Sequence, residues 1–548
     1  MSTTDPYGNK VINTYDEQDN LLTTQDALGN TTTYTYDKFG NLTSTVAPDG
    51  TSINLTYTQE TLVSGINDSK GKSMFKVDYD DKGRLKTLTD ANNNAMTYSY
   101  TGDGKIKGLA DSIGQIQQYT YDSDGNVTST TNGAGETSYF TYDESGRCLS
   151  INIRRMEDGN ELSFTSYYSY NSAGDIVSTI DNAGNSVHYE YDENGNKTAM
   201  VDSKGRRFTY EYDTRGNMTR ANYPDGTFET FEYDANDNNI SATSRSGLTT
   251  NIEYDKLNRA VKTCYPDGTF ESYEYDANGN VTSVTDCAGA TTTYEYDSCG
   301  RNTAITDALG NKTEFTYDSY GKLTKTTEAN GDYVEYTYDA NGNITKTKYK
   351  NGYNETAKYD ARNRMTMRTD ARGYKTYYEY DGADRLIKVK DTYGNIYSYE
   401  YDQNGNLRTV TDPQNHVTAY EYDEVGRVIK VTNALGKTMD YTYDECGNMT
   451  SSSDYSGVVT YYSYDLMDRL TEKKTGEEVT TYTYDDTGLL LDVTNGNGTV
   501  SYTYDEYNRL TSKTDERGVT ISYTYDSLGR YTGINNGFDD TTYEYDIL

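Results

Sequence analysis

The sequence has no tryptophan, two histidines, five cysteines and five prolines in 548 residues. No stretch approaches the 18 or so consecutive apolar residues of a membrane-spanning helix. Met1-Ser2-Thr3-Thr4-Asp5 has neither a basic segment nor an apolar one behind it, so no signal peptide is read there. The cysteines (Cys148, Cys264, Cys287, Cys299, Cys446) form no CxxC pair and are odd in number, which argues against a disulfide framework and a cysteine-held zinc. His188 and His416 alone give no basis for a histidine metal site or a catalytic triad, and no cofactor is implied. Basic residues are also scarce. Fifty Lys and Arg stand against 86 Asp and Glu, a net charge of −36. That balance disfavours a nucleic-acid partner, because phosphate recognition needs a local cationic excess. Aliphatic side chains are few, and with the high net charge they give the composition of a disordered chain.

What is abundant is tyrosine, 61 residues of it. A large ring with a polar tip can replace aliphatic bulk, so the positions of the rings decide whether the chain folds. They recur at 15, 36, 57, 79, 100, 121, 142, 170, 191, 212, 233, 254, 275, 296, 317, 338, 359, 380, 401, 422, 443, 464, 484, 504, 525 and 545, with most intervals 21 residues. In 23 of these 26 positions Asp follows. A period this regular defines a repeat protein. Counting each repeat from this Tyr as position zero, Gly recurs at +4, Asn or Arg at +5, an aliphatic residue or Met at +6, Asp at +11 and Gly at +14. The Tyr-Asp-x-x-Gly part is carried by Tyr121-Asp122 with Gly125, Tyr191-Asp192 with Gly195, Tyr275-Asp276 with Gly279 and Tyr401-Asp402 with Gly405; Tyr296-Asp297 heads another. A second aromatic stands two residues before the zero Tyr in 21 of 26 repeats.

Two turn signals per repeat leave two segments of strand length, rich in Thr, Tyr and Val. The spacing of two places the paired aromatics on one face of a strand. All five prolines (Pro6, Pro48, Pro224, Pro266, Pro413) fall at +12, inside the second turn, where a fixed φ is favourable. The expected fold is therefore all-β, a spiralling antiparallel ribbon of hairpins with about 26 units of 21 residues. The alternative is a narrow β-solenoid with one unit per coil. Residues 1–548 read as a single array, with degenerate units at about 51–105. A seven-residue insertion at about 148–168 reads as a longer hairpin with its tip near 153–159. The array begins and ends inside a repeat, which reads as an excised segment.

The Asp and Gly of the turns suit a side chain that accepts turn N–H groups and a backbone with positive φ better than they suit calcium. The aromatic ladder reads as core, with off-ladder rings such as Tyr353, Tyr455 and Tyr507 as candidates for exposed binders. No carboxylate pair, cysteine or histidine is singled out as catalytic, so the chain is not read as an enzyme.

The motif Tyr-Asp-x-x-Gly-Asn/Arg resembles the YD-repeat, or Rhs repeat, found in bacterial Rhs polymorphic toxins, in the B and C components of insecticidal toxin complexes, and in teneurins. The resemblance covers nearly the whole chain. It implies a secreted or cell-surface shell of hairpins that encloses or scaffolds a toxin or effector polypeptide carried outside this chain or elsewhere in the same protein. It also favours the wide ribbon over the narrow solenoid. Self-association through exposed sheet edges is a further expectation. An extracellular adhesion or carbohydrate-binding scaffold is the alternative function.

Overall fold

The computed structural model describes residues 1–157 and 160–545. Every regular element among them is a strand, 52 in all, and the described strand pairings are antiparallel. The fold is all-β. The chain divides into two compact units. One comprises Met1–Ser138, Tyr273–Thr285 and Ala290–Tyr399, and the other Tyr139–Ser272, Asp286–Gly289 and Glu400–Leu548.

The elements follow the 21-residue ruler. A leading strand ends on the zero Tyr, as in Ser186–Tyr191, Thr291–Tyr296 and Lys312–Tyr317. After turn A (+1 to +5), a return strand starts at +6, as in Lys197–Val201, Asn302–Thr306 and Leu323–Thr327. Turn B (+11 to +15) leads into the next leading strand. Both turns have the same backbone. In turn A of Tyr296, the Asp297 N–H donates to the Arg301 carbonyl and the Gly300 N–H to the Asp297 carbonyl, each at 3.0 Å. The last turn residue then needs positive φ, and Gly195 meets it at 85°. Where Gly is missing, short polar side chains mostly take the strain: Asp19, Asp237, Asn258, Asn363, Asp384, Asp468 and Asn508 at +4, and Asn93 and Asn415 at +14. Thr61, in the degenerate repeat, is the exception.

Each turn A hairpin whose register is described also carries a bulge. Glu295 faces Ala304, but Tyr296 faces Asn302, so one extra residue sits in the return strand. The same shift occurs at Tyr191, Tyr212 and Tyr317. A bulge bends its strand and increases local twist, so each repeat turns the ribbon at the same place. The long interval between Tyr142 and Tyr170 forms the expected hairpin, from Cys148–Glu157 and Asn160–Tyr170, paired out to Glu157 and Asn160. Its predicted tip at Asp158-Gly159 lies outside the described residues.

One face of the ribbon carries the ladder. Tyr294 lies opposite Ile305, Tyr189 opposite Met200 and Tyr420 opposite Val431. The other face places Glu or Thr at −1 opposite a residue at +8 that is small and buried in Ala199 and Ala304, or basic, as in Lys388 beside Glu379 (2.9 Å). The ladder is thinner than the expected core. Tyr294 and Tyr296 are half-buried, and no large side chain among the described residues is fully buried. The reason is topological: strands pack only against their chain neighbours, so no second layer covers the rings. The antiparallel pairing also excludes the narrow solenoid. Because Tyr296 is only half-covered, Tyr296→Ala is expected to cost about 2 kcal/mol in denaturant unfolding rather than the 3–5 of a core aromatic. Tyr296→Phe, which removes only the hydroxyl, should cost about 1 kcal/mol.

Candidate functional site

The repeat's functional chemistry lies in its turns. The Asp122 Oδ1 accepts the N–H groups of Asp124, Gly125 and Asn126 at 2.8–3.0 Å, while its Oδ2 accepts the Asn126 amide at 3.0 Å. Asp192 holds Asn194 and Asn196 in the same way, Asp276 holds Asn278 and Asn280, and Asp402 holds Asn404 and Asn406. The glycines of these turns, Gly125, Gly195, Gly279 and Gly405, have φ of 99°, 85°, 92° and 85°. At Asp297 the +5 partner is Arg301, whose Nε reaches Oδ2 at 2.6 Å. His416 occupies the matching +15 slot of turn B and meets Asp412 at 2.9 Å. Where Asp is replaced by Thr58, the corresponding N–H bonds lengthen to 3.2–3.3 Å.

The zero Tyr connects successive repeats. Its hydroxyl donates to the +6 carbonyl of the repeat before: Tyr121 to Ile106 (2.7 Å), Tyr191 to Ile176 (2.9 Å), Tyr296 to Val281 (2.8 Å). Burial pushes the phenols of Tyr121 and Tyr191 above their ordinary range. Tyr275 and Tyr401 also end leading strands, Phe270–Tyr275 and Ile396–Tyr401. Arg at +5 adds a second tie. The Arg364 guanidinium lies 4.8 Å from the ring centre of Tyr380 and donates to the Asp381 carbonyl at 3.2 Å; Arg427 does the same to Tyr443 and Asp444. Such cation–π contacts contribute roughly 0.5–1 kcal/mol each when partly exposed.

A third set of contacts, which no feature of the repeat motif signals, joins turn B of one repeat to turn A of the repeat twelve further on. In the first unit, Asn278 Nδ2 donates to Asp26 (2.8 Å), Arg301 pairs with Asp49 (3.0 Å), and the Tyr320 hydroxyl donates to Asp68. Asn92 and Asn341 exchange bonds with Asp339 (3.1 Å) and Asp90 (2.6 Å). Arg362 clasps Asp111 at 2.6 and 3.2 Å, and Arg385 meets Glu136 at 2.9 Å. In the second unit, Asn182 reaches the Glu424 carbonyl (3.0 Å), while Lys204 meets Asp444 (2.6 Å) and Asp468 (3.3 Å). Arg206, with its side chain 8% exposed, pairs with Asp468 at 2.8 Å and donates to the Leu466 carbonyl at 3.0 Å. The offset is twelve repeats in both units, with Lys204 and Arg206 also reaching Asp468 and Leu466 thirteen repeats on. Cys299 and Cys446, both at +3 of turn A, lie on this seam: Cys446 Sγ is 3.1 Å from Arg206, and Cys299 bonds to Asp49. The five cysteines are free.

Electrostatics follow from this geometry. The Arg84 side chain, with turn N–H groups, holds Asp80 at about 2. Burial works against the Asp444 carboxylate, but Lys204 and Asn448 outweigh it and hold it at about 2. The Asp68 carboxylate raises the Tyr320 phenol to about 12. No cluster of three His, Cys, Asp or Glu side chains that could hold a metal occurs among the described residues. The turn carboxylates are already engaged by N–H donors.

A protein so built belongs to the class of antiparallel β-hairpin repeat arrays, in which carboxylate-capped turns make both the repeat and the joint between distant repeats. The chain belongs to the YD-repeat, or Rhs repeat, family. The RHS Repeat family model matches residues 15–52, 198–227, 275–312, 300–332, 317–353 and 359–396, and the Teneurin YD-shell model matches 70–206 and 413–543. No curated protein matches the sequence. Among solved structures, the fold is similar to the crystal structure of TcdB2-TccC3-Cdc42 (TM-score 0.64, 14% identity, 97% of this chain and 40% of that chain). It is also similar to the crystal structure of TcdB2-TccC3 (0.60, 15%, 97% and 38%) and to a Photorhabdus luminescens Tc holotoxin pore (0.60, 13%, 97% and 39%). The chain thus spans about two fifths of the length of the structures it matches.

Two measurements test the seam. A Cβ on Gly382 would collide with the Gly133 backbone, and one on Gly133 with the Gly382 carbonyl. Gly382→Ala should therefore lower amide-exchange protection at 132–136 and 381–385 by about 1–3 kcal/mol, with the ladder strands elsewhere unaffected. The turn carboxylates have folded pKa values below the ordinary 3.8. Their stabilisation is therefore complete above about pH 4 and is lost as pH falls toward 2. Denaturant midpoints should hold steady from neutral pH down to about pH 5 and then drop steeply.

Proposed function

We propose that this chain is a length of shell wall that encloses or scaffolds a toxin or effector polypeptide lying outside it. Its work is structural, without chemistry of its own. The observation that supports this most directly is the recurrent offset of the seams, twelve repeats with some contacts reaching a thirteenth. A ribbon whose turns return to themselves only after 252 residues, as Asp26 does at Asn278, is built to surround a space rather than to fill one. The match to the Teneurin YD-shell model points the same way. The partner is the effector polypeptide or neighbouring parts of the same protein, and the setting is secreted or cell-surface.

The wall's two faces suit a guest with no fixed shape. One presents half-covered rings, and the other Glu, Thr and Lys. With a net charge of −36, the wall favours a basic guest within about 8–10 Å of its surface at physiological salt. The test is to fuse an unfolded basic polypeptide after Leu548 and follow its proteolysis against the free peptide, with single-particle images of the same sample. A hollow particle and a guest cleaved at least about tenfold more slowly are expected. A solid particle, or a guest cleaved at the free rate, would overturn the reading.

A further inference from the structure

The repeat that begins at Tyr57 departs from the ruler, and a cavity stands beside it. From Tyr57 to Tyr79 is 22 residues, one more than the usual interval. The extra residue is Met74: Ile66 faces Phe75 but Asn67 faces Ser73, so this repeat has a second bulge, just after turn B. A bulge bends its strand, here at the point where the strand meets the seam. Asp68, 3% exposed, crosses the seam to the Tyr320 hydroxyl, and beside that joint lies a cavity of about 590 Å3. Its walls are this repeat and the next on one side, and the turns A after Tyr317 and Tyr338 on the other. All of them lie within the first unit, in repeats with both chain neighbours present.

The charged groups of this cavity are unspent. In a regular turn A the second carboxylate oxygen is taken by the +5 side chain, as Asn126 takes that of Asp122. After Tyr317 the +5 residue is Lys322. Asp318 Oδ1 accepts the Tyr320 and Lys322 N–H groups at 2.8 and 3.0 Å, but its Oδ2 meets no donor among the described residues. The Lys322 ammonium lies instead 5.8 and 5.5 Å from the ring centres of Tyr320 and Tyr338. Neither Lys322 nor Lys72, on the turn B side of the cavity, makes an ion pair among the described residues. The rings of Tyr320 and Phe75 are exposed in the same space. Two other seam cavities differ in this respect. In one of about 300 Å3 beside the same joint, Arg301 is paired with Asp49 at 3.0 Å. In one of about 590 Å3 in the second unit, Arg206 is paired with Asp202 and Asp468 at 2.5 and 2.8 Å.

These groups select a ligand by charge. Four carboxylates, Asp68, Asp90, Asp318 and Asp339, against two ammonium groups disfavour an anion. The Lys322 ammonium already stands against the two rings where an organic cation would lie. A neutral ligand with hydroxyl groups can donate to Asp318, accept from Lys322 and Lys72, and lay an apolar face on a ring. The cavity volume is in the range of small-molecule sites. We infer that this cavity is a binding site for a neutral mono- or disaccharide, held between Asp318, Lys322 and Lys72 over the Tyr320 and Phe75 rings. The site is independent of whether the wall encloses a guest.

The experiment titrates the full chain with glucose, galactose, N-acetylglucosamine, maltose, cellobiose and lactose, followed by saturation-transfer NMR and calorimetry. At least one sugar should bind with a Kd of about 1 mM or tighter. Lys322→Asn restores the usual +5 partner, which occupies Asp318 Oδ2 and removes the ammonium in one change. It should leave the thermal midpoint unchanged or raised while weakening the sugar at least about tenfold. Asp318→Asn keeps the oxygen that accepts the turn N–H groups, as Asn171 does in its own turn, and should weaken the sugar by a similar factor. Inorganic phosphate and choline, titrated in parallel, should neither bind nor displace the sugar. Binding of none of the six sugars, or equal binding to the wild type and both variants, would overturn the inference. Phosphate or choline binding that is lost in Lys322→Asn would also overturn it, and would assign the cavity to an ion.

Discussion

A carboxylate that accepts two turn N–H groups with one oxygen and a neighbouring amide or guanidinium with the other is the constraint on which this molecule rests. It fixes the turn, the turn fixes the register of the two strands it joins, and the register brings the zero Tyr under the +6 carbonyl of the preceding repeat. Strands of five or six residues with half-covered faces have little else to align them. A charged acceptor makes stronger hydrogen bonds than a neutral one. The pattern is therefore most regular where Asp is present and loosest where Thr58 takes its place.

The same turn serves a second purpose because its polar atoms are not exhausted. The side chains at +2 and +3 point past the turn, and the +4 and +5 groups keep donors or acceptors to spare. Arg301 illustrates this. It caps its own Asp297, lies over Tyr317 and still reaches Asp49 in a repeat far back in sequence. The seam carries no fixed polarity. Acid lies on the turn B side at Asp111 and Glu136, and base on that side at Lys204 and Arg206. Complementarity is settled repeat by repeat.

Much of the fold was legible in the sequence because its determinants are local. Tyr, Asp and Gly at set offsets report strand ends, and proline at +12 reports the second turn. The bulge after turn A is local as well, yet no single residue type marks it, since the extra position carries Thr303, Lys107, Ile240 or Leu22 in different repeats. The depth of the ladder was misread because a half-covered Tyr and a fully covered one look the same in sequence. What decides between them is a second layer, which the pairing of neighbours does not supply. The seam was invisible for a different reason. Its offset depends on the bend contributed by each of twelve repeats, a sum that no single repeat records.

The twelve-repeat offset also bears on how such a gene can change length. Tandem repeats of similar sequence are prone to gain or lose whole units through misaligned recombination. Here, one added repeat between the two partners of a seam would move every later turn against the wrong counterpart, Arg362 away from Asp111 and Arg385 away from Glu136. Lengthening a hairpin outward is harmless by comparison. The long hairpin between Tyr142 and Tyr170 leaves the offset at twelve for Glu136 before it and Asn182 after it. A hairpin tip can therefore lengthen without disturbing the seam, whereas the number of repeats between two seam partners cannot change without breaking it.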